Sequence, residues 1–486
     1  MGEADYSIKV GKKAFLLAFF IILGLMILSG VLTRTVPAGS YDRQELDGRE
    51  IVVPGSYDEN ERPDYPVWRW ATAPVEVLFA PGNITVITII LFLVFVGGAF
   101  TILEQAGILQ TALLYLAGRL GKRKYLLMAL LIFVFMLLAA VLGIYEALVP
   151  LIVFVIPLSH MLGWDSMTGL GMSLLPLAFG FSAAVTNPFT IGVAQTIADL
   201  PLFSGSWLRI VFFLVIYVLV LLFVRRYAKK VEQKPERSLV YAEDAPLRAR
   251  YGGPEGEQRG TTTLSRSMKR ALIWFATSLG LAVAFILATS RSPTLSDIAF
   301  PLMALLLFIG GVGSGRFSGM EWRRIAATFG RGVLNISPGI VLILMSMSVK
   351  HIVETGGIMD TLLFRASAFI EGSPPLTAAF LVYGVTLLMN FFVGSASAKA
   401  FLMMPILTPL ADLVGITRQT AVLAFGFGDG FSNMLYPSNA LLIIALGFSV
   451  VSYPRWIKWT VLLQLVVFAV TVGFLAFATT IGYGPF

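Results

Sequence analysis

Cysteine is absent from the 486 residues, and histidine occurs twice, at His160 and His351. The first absence excludes a disulfide framework, a thiol nucleophile and any thiolate-held metal or iron–sulfur centre. The second leaves no histidine pair to build a metal or nucleophile constellation. Charge is also scarce, at 13% of residues against about a quarter in soluble domains. Hydrophobic residues make up 57% and the mean hydropathy is +0.82, so a soluble fold is excluded in turn. No Walker motif is present, which argues against ATP-driven transport by this chain. The fragment Gly311-Val-Gly-Ser-Gly-Arg316 closes an apolar run without a preceding strand or a lysine partner, and reads as helix-terminal punctuation. The net charge of +8 sits in arginines and lysines at the ends of apolar runs, the pattern of cytoplasmic loops, and nucleic acid is not an expected partner.

What is present is a series of runs near the length needed to cross about 30 Å of hydrocarbon: Ala14 to Leu32, Ile84 to Leu103, Leu208 to Val224, Ala271 to Ala288, Ile298 to Val312, Val333 to Val349 and Trp456 to Phe477. The expected class is an all-α polytopic membrane protein in the lipid bilayer of a bacterial-type cytoplasmic (inner) membrane. The first run follows Lys9, Lys12 and Lys13 and lacks a small-residue cleavage site after it, so it is expected to be retained. The loop from Arg34 to Glu76 holds nine acidic and five basic residues, which puts it outside and the amino terminus in the cytoplasm. Counting spans from there puts the carboxyl terminus outside. Residues 225 to 270 carry twelve basic and six acidic residues with several prolines and glycines, and read as a solvated cytoplasmic connector.

The chain is also written twice. Glu104-Gln-Ala-Gly-Ile-Leu-Gln-Thr returns as Glu354-Thr-Gly-Gly-Ile-Met-Asp-Thr, and Leu177-Ala-Phe-Gly-Phe returns unchanged from Leu423. One extra span, near 269–290, lies between the copies, so the two repeats are expected to have inverted topology: 1–228 and 291–486, joined by a linker at 229–268. Gly107 to Leu120 and Gly357 to Ile370 suit amphipathic helices in opposite interfaces. Each copy then offers an interrupted apolar pair and a broken helix. The pairs, at about 124–162 and 375–414, read as re-entrant helical hairpins with tips at Gly143 to Glu146 and Gly394 to Lys399, although two full spans would also fit. The discontinuous helices lie at about 166–200 and 418–450, broken at Thr186 to Thr190 and Ser432 to Asn439.

Broken helices at membrane depth are tolerated where protein or a cavity satisfies the backbone, and paired breaks in a duplicated chain are the sequence mark of a secondary transporter. The four tips are therefore expected to converge on one site. Tyr145, Glu146, Asn187, Thr190, Ser395, Ser397, Lys399, Asp429, Asn433, Ser438 and Asn439 are the candidate substrate residues. Gly143, Thr186, Asn187, Gly394, Ser432 and Asn433 are candidates for a coupling Na+, with H+ the other coupling ion. Ionised side chains inside a span are costly and mark sites. Glu146 and Lys399 occupy nearly matching places, 253 residues apart, and are expected to neutralise each other across the pseudo-two-fold axis. Asp429 has no acidic counterpart in the first copy and could receive a cation, a proton or a substrate ammonium. No cofactor is expected. An intramembrane enzyme or a channel ranks below a transporter, because no catalytic constellation is visible and a channel needs no paired tips.

Gly163-Trp-Asp-Ser, Asn187-Pro-Phe-Thr-Ile-Gly-Val-Ala-Gln195, Pro201-Leu-Phe-Ser-Gly205, Gly415-Ile-Thr-Arg-Gln and Phe427-Gly-Asp-Gly-Phe-Ser-Asn433 resemble the YfcC-like branch of the anaerobic four-carbon dicarboxylate carrier family. Val36-Pro-Ala-Gly-Ser-Tyr and Val53-Pro-Gly-Ser-Tyr look similar too. The resemblance spans nearly the whole chain except the linker. It implies the ion-transporter superfamily, with inverted repeats, opposed hairpins, discontinuous helices, often a homodimer and an elevator-type motion. It further implies a small carboxylate-bearing substrate, a dicarboxylate or an amino acid, carried with Na+ or H+ or by exchange; a basic amino-acid antiporter of arginine/ornithine type is the second reading. Two segments depart from the family pattern, Val393-Gly-Ser-Ala-Ser-Ala-Lys399 and Pro437-Ser-Asn-Ala440. A lysine at such a tip could replace a coupling cation or pair with a substrate carboxylate.

Overall fold

The computed structural model describes residues 12–46, 49–80, 84–109, 111–112, 123–251, 265–289 and 293–484. They are almost entirely helical, and among them 8 helices are long and apolar enough to cross a membrane. The chain is thus a multi-pass helical membrane protein.

Its outer frame comprises α1 (Lys12–Thr35), α2 (Arg69–Glu76), α3 (Ile84–Gln105), α10 (Arg266–Thr289), α11 (Pro293–Phe317) and α12 (Trp322–Thr355). Helix α12 packs on α1, α2 and α3, and α11 on α3 and α10. The glycines of the Gly311 to Arg316 fragment lie in the last turns of α11. Only hydrogen leaves room there: a Cβ on Gly311 would come 2.7 Å from the Ala99 side chain.

The inner part is built from α4 (Lys124–Leu142), α5 (Ile152–Met161), α6 (Ser166–Ser182), α7 (Val193–Ile197) and α8 (Ser206–Gln233). Later in the chain come α14 (Pro375–Phe392), α15 (Ala396–Val414), α16 (Arg418–Gly430), α17 (Ala440–Gly447) and α18 (Tyr453–Thr480). Partners recur between the halves. Helix α4 packs on α6 and α8 as α14 packs on α16 and α18, while α5 lies on α6 as α15 lies on α16. The two helices carrying the repeated Leu-Ala-Phe-Gly-Phe are the most enclosed: every residue of α6 is buried, and every residue of α16 after Arg418. A helix apolar all round belongs in the centre of a bundle. Their starts are fixed locally, by the Asp165 carboxylate accepting from Thr168 N–H and the Thr417 hydroxyl accepting from Thr420 N–H.

Opposite ends of the bundle are covered by two polar segments. At one end, β1 (Gly39–Ser40) pairs with β4 (Asp58–Glu59) and β2 (Arg43–Leu46) with β3 (Arg49–Val52), both antiparallel. There Arg43 grips Asp360 of α13 (Met359–Ala368) at 2.8 Å, and β3 lies against α15. At the other end the connector includes α9 (Ala245–Tyr251), which packs on α5.

Much of the described connector is exposed, and it is anchored at a few points. Helix α8 runs on to Gln233, past the expected boundary at 228. Asp244 then accepts from Ser166 N–H at 2.8 Å and sits 3.3 Å from His160 Nε2. Ser238 and Tyr227 both donate to Asp165, and Arg250 reaches Glu104 at 2.9 Å. Asp244 is buried and spent on a helix start. Most of the expected interfacial helix at Gly107 to Leu120, and residues 252–264 of the connector, lie outside the described residues. The second interfacial expectation corresponds to α13.

Candidate functional site

In the first half, α4 ends because Gly143 adopts a left-handed conformation, φ +71°. The turn that follows is buried through Ile144 and Tyr145. A Cβ on Gly143 would lie 2.3 Å from Asn187 Oδ1, so the hairpin tip rests directly on the break in the neighbouring helix. That break, 183–187, leads into a short π-helical turn, Pro188–Gly192. Asn187 opens it by accepting from Phe189 N–H at 2.9 Å.

Several backbone groups freed at this break, and at the neighbouring end of α4, find partners. Val185 and Thr186 N–H donate to Ala140 O at 2.8 and 3.2 Å. The Thr186 hydroxyl donates to Val141 O. Arg209 Nε donates to Val185 O at 3.0 Å, and its other nitrogens donate to Ser204 O and Phe203 O at 2.9 and 3.2 Å. The Arg209 side chain is 1% exposed. Among the described residues, Ser182 Oγ, Asn187 Nδ2 and Thr190 Oγ1 near this break have no hydrogen-bond partner.

The second half meets the same problem with more side chains. Its break, 431–439, begins as a 3-10 turn, Phe431–Met434. Met434 O accepts from Trp456 Nε1 at 2.9 Å, Leu435 O from the Tyr453 hydroxyl, and Pro437 O from Ser346 of α12 at 2.9 Å. The Ser438 hydroxyl donates to Phe391 O at 2.7 Å. Asn439 caps α17 by accepting from Leu441 and Leu442 N–H.

From that cap a chain of amides leads to the buried charges. Asn439 Nδ2 donates to Asn433 Oδ1 at 2.9 Å, and Asn390 Nδ2 donates to the same oxygen at 3.0 Å and to Ser432 Oγ at 2.6 Å. With its amide nitrogen committed, Asn390 turns Oδ1 toward Lys399, which donates to it and to Asp429 Oδ1. Lys399 and Asp429 are both fully buried, at 0% exposure. The second carboxylate oxygen, Asp429 Oδ2, has no hydrogen-bond partner among the described residues.

Among the described residues the acid paired with Lys399 is Asp429, brought to it by the packing of α15 along α16. The side chain of Glu146, expected to pair with Lys399, lies outside the described residues. Ser432, Asn433 and Asn439 join Lys399 and Asp429 in one network, with Ser438 on the adjoining backbone. Ser395 caps α15 and, with Gly394, is exposed at the tip, and Ser397 is half-buried, so these residues stand apart from the buried network.

The halves themselves meet. A Cβ on Gly430 would lie 2.3 Å from Ser182 Oγ, and the rings of Phe179 and Phe431 are 5.4 Å apart. The turn holding Thr190 packs against α15 and α16. Two residues central to this arrangement went unnoticed in the sequence. Asn390 is one polar residue in an apolar run, and Arg209 looks like an interfacial charge at the start of a span. In both cases the signal available was an expensive side chain inside an apolar segment.

Comparison with known proteins adds a family. The family profile described as "C4-dicarboxylate anaerobic carrier" matches residues 15–480. The chain is 31% identical to the putative basic amino acid antiporter YfcC of Escherichia coli, over 90% of this chain and 91% of that one. It is 23% identical to an uncharacterized protein of Haemophilus influenzae, over 94% and 95% respectively. Among solved structures, the YdaH transporter of Alcanivorax borkumensis, described as having an unusual topology, aligns over 97% of this chain and all of that one at 20% identity. Its TM-score of 0.43 is too low for that likeness to carry an argument.

Proposed function

The chain belongs to the C4-dicarboxylate anaerobic carrier family, a family of membrane transporters, and from that premise we propose that it is a secondary active carrier of a small carboxylate-bearing metabolite, a dicarboxylate or an amino acid. The observation that carries this reading is the set of unpartnered polar atoms at the first break. Among the described residues, Asn187 Nδ2 and Thr190 Oγ1 are buried donors with no acceptor. Leaving such donors unmatched costs about 1–3 kcal/mol each, and a carboxylate supplies the acceptors they lack.

The same reading takes the two interrupted pairs as re-entrant hairpins and the two halves as inverted repeats about one site. Asp429 lies eleven residues along α16, about 16 Å at 1.5 Å per residue, roughly midway through a 30 Å hydrocarbon layer. Lys399, four residues past its tip, meets it there. A tip that stops at mid-depth beside a broken helix is what a re-entrant hairpin requires. Positive residues at Lys124, Arg225 and Arg226 favour a cytoplasmic amino terminus in an inner membrane, with the carboxyl terminus outside. An elevator-type homodimer fits the division into frame and inner helices.

Basic amino-acid antiport is the second reading, favoured by the name of the Escherichia coli relative. Lys399 already occupies Asp429, and the side chain of Glu146, the other acid expected to receive a substrate's cationic end, lies outside the described residues. Thermal unfolding of purified protein against a panel of dicarboxylates and of acidic, neutral and basic amino acids tests both readings. One class is expected to stabilise the wild type, and Asn187→Ala and Thr190→Val to weaken that effect roughly tenfold or more in affinity. A panel that stabilises wild type and both variants equally would place the substrate elsewhere.

A further inference from the structure

The second half holds a cation-shaped arrangement of oxygens. Asp429 Oδ1 and Asn390 Oδ1 point at one centre, and Asn390 is locked in that orientation because its nitrogen is committed to Ser432 and Asn433. Carboxylate and amide oxygens are the hard donors that a hard cation takes. The centre is taken by the Lys399 ammonium, which is fully buried and satisfies both oxygens. A free sodium ion does not fit where that ammonium sits.

We infer that the oxygens of Asp429 and Asn390 form a monovalent-cation site that the chain fills with its own ammonium, Lys399, so that no sodium is bound or carried at this position. The inference rests on the carrier reading of the same site and sharpens it. A tethered cation crosses with the protein in both directions and draws nothing from a sodium gradient. The driving force for uphill movement then comes from the first half, from protons or from a counter-solute. The ammonium also holds the break in place, since Asn390 links it to Asn433 and Asn433 to the α17 cap. Removing the ammonium while keeping the oxygens opens the site to a free ion.

The test is Lys399→Ser in the full-length protein, with thermal unfolding in detergent followed from 0 to 100 mM NaCl, choline chloride holding ionic strength constant. The variant is expected to gain a saturable, sodium-specific rise of about 3 °C or more over any sodium effect on the wild type. A variant recoverable only when purified in sodium meets the same expectation. Lys399→Ser/Asp429→Asn, which removes the carboxylate as well, is expected to lose the gain. A Lys399→Ser protein that folds but shows no sodium gain, one that is not recovered in either salt, or a gain that survives in the double variant would each overturn the inference. None of these readouts involves substrate, so they separate failure of the cation site from failure of the carrier reading.

Discussion

Neutralising one member of the Lys399–Asp429 pair has a consequence large enough to decide how the centre of the protein is built. Asp429→Asn keeps the shape of the side chain and an acceptor for the lysine, and removes only the charge. Both side chains have 0% exposure, so the remaining ammonium would be buried without a counter-ion. Breaking such a pair from one side costs about 3–5 kcal/mol, whereas replacing both members by neutral groups of similar volume is often nearly neutral. Lys399→Met should cost about as much, by stranding the carboxylate. The double variant Lys399→Met/Asp429→Asn should recover most of the loss. The resulting coupling, about 3 kcal/mol or more, lies well outside the scatter of additivity for independent sites. At roughly 2–4 °C per kcal/mol, each single variant should lower the apparent unfolding temperature by about 6 °C or more, and the double variant should return to within about 5 °C of wild type. Fluorescence-detected unfolding of the detergent-solubilised protein at fixed pH reads all four. If either single variant matches wild type within about 1 °C, or if the losses simply add, the two charges are not a buried pair.

Other perturbations probe the surrounding framework. Arg209→Met strips donors from the carbonyls of Val185 and Phe203, Ser204 O keeping those of Gln195 and Gln419, and should lower the unfolding temperature by several degrees, since each buried acceptor left bare costs about 1–3 kcal/mol. Asp244→Ala removes the cap on Ser166 and should speed tryptic cleavage after Arg248 and Arg250 several-fold, with wild-type digestion as the reference. Glu76, held by hydrogen bonds from Arg69, titrates at about 2 rather than 4.5. Because this folded value is depressed, the stability it contributes is complete above about 4.5 and lost as pH falls toward 2. Glu76→Gln should flatten that part of a pH–unfolding curve, and an unchanged curve would contradict the assignment.

The sequence made the helical membrane class, the doubled plan and both breaks legible because each depends on short-range signals. Apolar run length, the returned Leu-Ala-Phe-Gly-Phe and the proline after Asn187 are visible without any tertiary contact. What remained hidden depends on which helices touch. Lys399 had two acids to choose from. Matching its place in the repeat pointed to Glu146, whereas the packing of α15 on α16 brought Asp429 to it. Asn390 was indistinguishable from a residue that merely joins helices until Ser432 and Asn433, more than forty residues on, were placed beside it. The connector's anchor was hidden for the same reason, since Asp244 caps a helix that begins 78 residues earlier.

Uptake of labelled solute into proteoliposomes tests the central claim most directly. Vesicles containing the purified protein, loaded with the carboxylate or amino acid that stabilises it and diluted into the labelled compound, should accumulate label above equilibrium. Asn187→Ala vesicles of equal protein content should fall to near the empty-vesicle level. Failure of every stabilising solute to enter wild-type vesicles under exchange, proton-gradient and sodium-gradient conditions would contradict the claim that this chain is a secondary carrier.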